Sequence, residues 1–172
     1  MRVRAIIVAA ILMMASSACA GPEMLLMAAS SHNYQTSGFE ASLSPWTATT
    51  SGGGIADQSN SYGHTSSWSA RLAGYSSNGA YGYISQTVTT RGGYLDFWYL
   101  TPTDYTGLGA FTVSVDGSTA ATLAYPGAVE TWYHSTTDVS LSATSHVIQF
   151  KMSRVGATNV WMYIDDIKVP VP

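Results

Sequence analysis

From residue 38 onward, apolar and polar positions alternate in short runs broken by Gly, Ser, Thr and Asp. Nothing there carries the three-to-four-residue spacing of an amphipathic helix. The plainest run is the last, 159–169 (NVWMYIDDIKV). It sets Val160, Met162 and Ile164 on one face and Trp161 and Tyr163 on the other, a period of two that predicts a strand. The same reading predicts strands at 69–73 (SARLA), 81–89 (YGYISQTVT) and 94–100 (YLDFWYL), with a turn at Arg91-Gly92-Gly93 between the last two. In 94–100, Leu95, Phe97 and Tyr99 form an apolar face and Tyr94, Asp96 and Trp98 a mixed one. Residues 110–115 and 119–124 flank Asp116-Gly117, the pair that supplies the positive φ of a tight hairpin turn. A weaker strand is expected at 131–139 and a strong one at 146–152, with Ile148, Phe150 and Met152 inward. Short strands at this spacing, without helices between them, define an all-β chain folded as an antiparallel β-sandwich or barrel.

Composition narrows the functional classes. The chain has 172 residues, of which 10% are charged, and a formal net charge of −3. No basic patch is available to neutralise phosphates, so nucleic acid is excluded as a partner. The first twenty residues read as a signal peptide. Arg2 and Arg4 precede an apolar stretch at 5–14, and Ala18-Cys19-Ala20 is an A-x-A cleavage site. The apolar stretch is too short for an ordinary transmembrane helix, so the mature chain is expected to be secreted with no membrane span. Cys19 is the sole cysteine, which rules out an internal disulfide; lipid anchoring through it is the alternative to full secretion. Residues 21–37 are expected to form an irregular lead-in, and 38–172 the sandwich domain.

One feature breaks the alternation. Asp165 and Asp166 interrupt an apolar strand, and burying a carboxylate costs several kcal/mol unless it is paired, hydrogen-bonded or metal-bound. Glu40 is a second isolated carboxylate, near the other end, and the two ends are expected to meet.

In order, GFE…LSPWT, HTSSWSARL, ISQTV, YLDFWYL, FTVSVDG, TWYH and YIDDIKV resemble the jelly-roll carbohydrate-binding modules attached to bacterial cellulases and xylanases, within the galactose-binding-like sandwiches. The resemblance spans about residues 36–169. It departs at Ser66, where these modules usually carry glycine, and in lacking an attached catalytic domain. It implies a structural calcium held by Glu40 and Asp165 with carbonyls of the Ser66-Ser67 loop, oxygen ligands of the kind calcium takes. The alternative is that the carboxylates accept backbone N–H bonds without metal, and alternation alone does not decide which of Asp165 and Asp166 faces the ion.

The expected function is non-catalytic binding of an extracellular polysaccharide or other glycan. The competing reading is a structural or adhesive surface protein built on the same sandwich. Sugars lie flat on aromatic rings beside hydrogen-bonding side chains, which points to Trp98 with Asp96, Trp161 with Tyr163, Tyr83, and Gln149 with Lys151. If their strands share a sheet, Trp98 and Trp161 form one platform, with Gln149 as a polar contact. Otherwise a rim of Trp46, Tyr75 and Tyr81 is the better site. For any single tryptophan, packing in the core is the plainer role. No catalytic residue is assigned. His32, His64, His134 and His146 are scattered, no nucleophile or metalloprotease motif is present, and nothing places Asp96 and Glu130 at glycosidase spacing.

Overall fold

The computed structural model describes residues 33–172. The signal-peptide and Cys19 expectations, and most of the lead-in, lie outside the described residues. Thirteen strands follow in order: β1 (Tyr34–Ser37), β2 (Thr47–Ser51), β3 (Ile55–Ser59), β4 (Ser69–Gly74), β5 (Tyr81–Thr89), β6 (Gly93–Tyr94), β7 (Asp96–Leu100), β8 (Gly109–Val115), β9 (Ser118–Leu123), β10 (Tyr133–Ser135), β11 (Ser140–Leu141), β12 (Ser145–Arg154) and β13 (Val160–Pro170). Every strand pairing among the described residues is antiparallel.

Two sheets form the sandwich. One runs β10-β7-β13-β4-β3, with β1 also on β13; the other runs β2-β5-β12-β8-β9. Between them lies a core with Leu72, Ile84, Leu95, Phe97, Phe111, Ile148, Phe150, Met152, Met162 and Ile164, all excluded from solvent. Phe150 packs edge-on against Trp46 and Phe97, at 5.5 and 4.9 Å between centroids. The expected inward faces of 94–100, 146–152 and 159–169 are all there. The Asp116-Gly117 turn has φ of 53° and 80°, as a two-residue hairpin requires.

Three expectations are corrected. Residues 34–37 are not lead-in but β1, whose Thr36 and Ser37 pair with Lys168 and Ile167, so the sandwich begins before residue 38. The weak strand at 131–139 shrinks to Tyr133–Ser135 on an outer edge of its sheet. The run at 94–100 splits: Gly93–Tyr94 pairs with β11 in a separate small sheet, and only Asp96–Leu100 joins β13. β2 and β3 were not expected at all; both are Thr-, Ser- or Gly-flanked segments with little apolar signal.

The Asp165-Asp166 break has a backbone cause. One edge of β13 pairs with β4 through Ile164↔Ala70 and then with β1 from Ile167↔Ser37. The two aspartates fill the gap between those neighbours. On the other edge the register against β7 slips between Asp165 and Lys168, and Asp166 takes φ of 49°. This bulge inserts one residue and reverses the parity, so Ile164 and Ile167 both face the core.

Candidate functional site

The loop between β3 and β4 closes the gap in β13. The His64 N–H donates to Asp165 Oδ2 at 2.9 Å, and the Asp166 N–H donates to Asp165 Oδ1 at 2.8 Å. Asp166 receives the Thr65 hydroxyl on Oδ1 and faces His64 Nδ1 with Oδ2, both at 2.7 Å. From the N-terminal side, Glu40 Oε1 accepts the Trp68 N–H at 3.1 Å. Glu40 and Asp165 thus each accept a backbone N–H from the same loop, at Trp68 and His64, the bonds expected of a metal-free arrangement. Asp165 is wholly buried, and burial pushes its carboxyl up to about 6 against the two N–H bonds that favour the charge. Its pairing with the loop answers which aspartate turns inward: Asp165 does, while Asp166 stays half-buried.

For calcium, the donor set is oxygen-rich and no lysine or arginine among the described residues neutralises Asp165. Against this, each carboxylate already accepts N–H or O–H donors. No group of three or more His, Cys, Asp or Glu is spaced to hold a metal among the described residues.

The acidic cluster continues into an aromatic one. Across three strands, His134, Trp98 and Asp165 are register partners. The His64 ring lies 4.0 Å from Trp98 at 19°, and the His134 ring 4.3 Å at 4°. Two imidazoles that near and that parallel cannot share one face of an indole, so Trp98 is sandwiched between them. Asp96 Oδ1 meets His134 Nε2 at 2.9 Å, and Trp132 sits edge-on to His64 at 5.4 Å. Nearby, Tyr62 packs edge-on against Tyr163 at 4.8 Å and donates to Glu130 Oε1 at 2.6 Å; that bond, with burial, pushes the phenol up to about 12.

These contacts crowd the expected platform. Trp98 and Trp161 do lie on one outward face, because β7 and β13 are neighbours. But both ring faces of Trp98 are occupied, Tyr163 is only 5% exposed, and Trp161 meets Tyr75 at the opposite end. Trp46, expected at the rim, is a core residue whose Nε1–H donates to Ser37 Oγ at 3.0 Å. Gln149 and Tyr83 belong to the other sheet, so Gln149 is no neighbour of Trp98.

That other sheet presents an open polar face. Its outward rows are Thr49–Tyr83–Lys151–Thr112, Thr47–Ser85–Gln149–Ser114 and Ser51–Tyr81–Ser153–Ala110. Tyr81 and Tyr83 are half-exposed, with rings 6.0 Å apart and 20° from parallel. Lys151 Nζ lies 4.1 Å from the Tyr81 centroid. The sequence singled out Tyr83 for a strand face and Tyr81 for a loop rim; the sheet order puts both on one face, with Lys151 and Gln149 beside them.

One constellation was not anticipated. His146 Nδ1 faces Asp116 Oδ2 at 2.7 Å, and its Nε2 faces Ser142 Oγ at 3.1 Å. The groups are those of a Ser-His-Asp triad, but Nε2 is equally near the Ser142 carbonyl oxygen, an acceptor that calls for N–H there. A nitrogen carrying that proton cannot act as base for the hydroxyl. The Thr144 N–H, a candidate oxyanion donor, is turned onto the same carbonyl at 3.0 Å. Asp116 Oδ1 also accepts the Val147 N–H, so the group reads as a clamp joining two turns.

No family model matches the sequence, and no curated protein matches it. Solved structures do match. The K3 cleaved adhesin domain of Lys-gingipain from Porphyromonas gingivalis W83 superposes with a TM-score of 0.64 at 18% identity, covering 81% of this chain and 98% of that one. A family 61 carbohydrate-binding module in complex with β-1,4-galactotriose gives 0.55 at 16%, covering 78% and 94%. A xylan-binding domain of family 22 gives 0.51 at 15%, covering 83% and 96%. The fold is thus the β-sandwich shared by carbohydrate-binding modules and adhesin domains. Among the described residues no helix is long and apolar enough to cross a membrane.

Proposed function

We propose that this chain is a non-catalytic, extracellular glycan-binding module whose ligand lies across Tyr81 and Tyr83. The carrying observation is the face itself: two half-exposed, near-parallel rings set among Ser, Thr, Gln and Lys on consecutive central strands. That composition supplies both C–H stacking and hydroxyl hydrogen bonds. The module-like fold supports the same class. Affinity electrophoresis of the mature domain through gels containing galactan, xylan or polyuronate tests it. Tyr83→Ala should weaken retardation by at least about tenfold, the cost of removing a modest hot spot. Retardation unchanged by Tyr83→Ala would move the site elsewhere.

The likeness to gingipain adhesin domains favours a second reading, in which the same sandwich serves adhesion to a protein surface. It predicts no retardation in any polysaccharide gel. Calcium between Glu40 and Asp165 is part of the proposal. It is supported by a buried carboxylate with no basic residue but histidine beside it. Glu40→Gln should remove any calcium-dependent rise in melting temperature.

A further inference from the structure

The face that carries the tyrosines has a charge pattern that its sequence composition hides. The whole chain is acidic by count, yet Lys151 is the sole charged residue among the outward strand positions just named. It stands on β12, the central strand of five, with Tyr83 on one side and Thr112 on the other. Gln149 and Ser153 flank it along the strand. No carboxylate among the described residues pairs with it, whereas Arg71 on the other sheet is bound by Asp57 at 2.6 Å. The ammonium instead lies over Tyr81, which fixes it on the sheet surface rather than out in solvent. Asp116, in the turn after β8, is taken up by His146 and Val147.

We infer that the glycan bound on this face is an acidic one, a polysaccharide carrying uronate carboxylates. The inference rests on the glycan-binding proposal above. A cation held over one tyrosine and beside the other can donate to a carboxylate on a sugar whose ring lies against them. A charge-assisted bond of this kind is worth about twice a neutral one. The neutral Ser, Thr and Gln positions around it would hold hydroxyls of the adjoining sugars. Nothing on the face repels an anion.

The test compares polygalacturonate with neutral β-1,4-galactan by affinity electrophoresis and by calorimetry on their oligomers, all in chelator so that calcium cannot bridge. Wild type should bind the uronate oligomer about tenfold more tightly than the neutral one, the order set by one charge-assisted hydrogen bond. Lys151→Gln, which shortens the stem but keeps a polar head, should erase that preference. Uronate affinity should also fall with added salt, with a log–log slope near −1 for one ion contact. Equal affinity for both sugars, or a preference that survives Lys151→Gln, overturns the inference and leaves glycan binding standing. Binding to neither sugar, nor to any gel in the panel, overturns the glycan-binding proposal itself.

Discussion

Asp165 makes a quantitative prediction because its carboxyl is buried without a permanent cation. In the unfolded chain it titrates at the ordinary 3.8; folded, burial carries it up to about 6. The folded state therefore holds the proton over a range in which the unfolded state has lost it. This contribution is complete below pH 3.8 and is lost as pH rises through about 6. A move of that size corresponds to roughly 3 kcal/mol, or about 10 °C in melting temperature for a domain this large. The assay is a set of melts from pH 4 to 7 in chelator, run on wild type and Asp165→Asn. Asn cannot ionise, so the difference between the two curves removes His64, Asp166 and every other group common to both. Asp165→Asn should be the less stable protein near pH 4, because its amide N–H₂ faces one of the two backbone donors, and should gain on wild type toward pH 7. Saturating calcium should flatten the wild-type curve by stabilising the ionised carboxylate, adding about 2.7 kcal/mol at a hundredfold excess over Kd. A constant difference between wild type and Asp165→Asn across the range would refute the burial argument. Curves that are identical with and without calcium would remove the ion.

Two further outcomes separate packing from function. Trp98→Ala should destabilise the domain by about 1–3 kcal/mol, since it removes two aromatic stacks, yet leave polysaccharide retardation unchanged; loss of binding with full stability would reinstate Trp98 as a ligand residue. A fluorophosphonate probe should leave Ser142 unlabelled by mass spectrometry, and p-nitrophenyl acetate should hydrolyse at the same rate with Ser142→Ala as with wild type. Stoichiometric labelling of Ser142 would make the Asp116–His146–Ser142 clamp a catalytic group.

The inward faces were legible because burial enforces a period of two: Phe97, Phe150 and Ile164 are core residues in sequence and in structure alike. That Asp165 had to find partners was legible for a related reason, since a carboxylate in an apolar, lysine-poor strand demands them. The identity of those partners was not. His64 and Thr65 sit in a Gly/Ser loop with no periodicity, and only the gap left between β4 and β1 gives them a role. The crowding around the tryptophan pair depends on a third dimension that alternation does not carry. Parity places Trp98 on the outward face, but it says nothing of the loop that brings His64 down on it. β2 and β3 escaped because Thr, Ser and Gly are turn residues as readily as strand residues.

The position of β13 governs the order in which the domain can be completed. It is bonded to β1, β4 and β7, and its Pro170 lies opposite Tyr34. A chain made from its N-terminus holds those three strands as unpaired edges until their common neighbour arrives. The loop that must close is nearly the length of the domain, which places this fold among the slow, non-local folders. During synthesis the incomplete sheet is a surface for mispairing, and the final strand is the lock that ends that exposure.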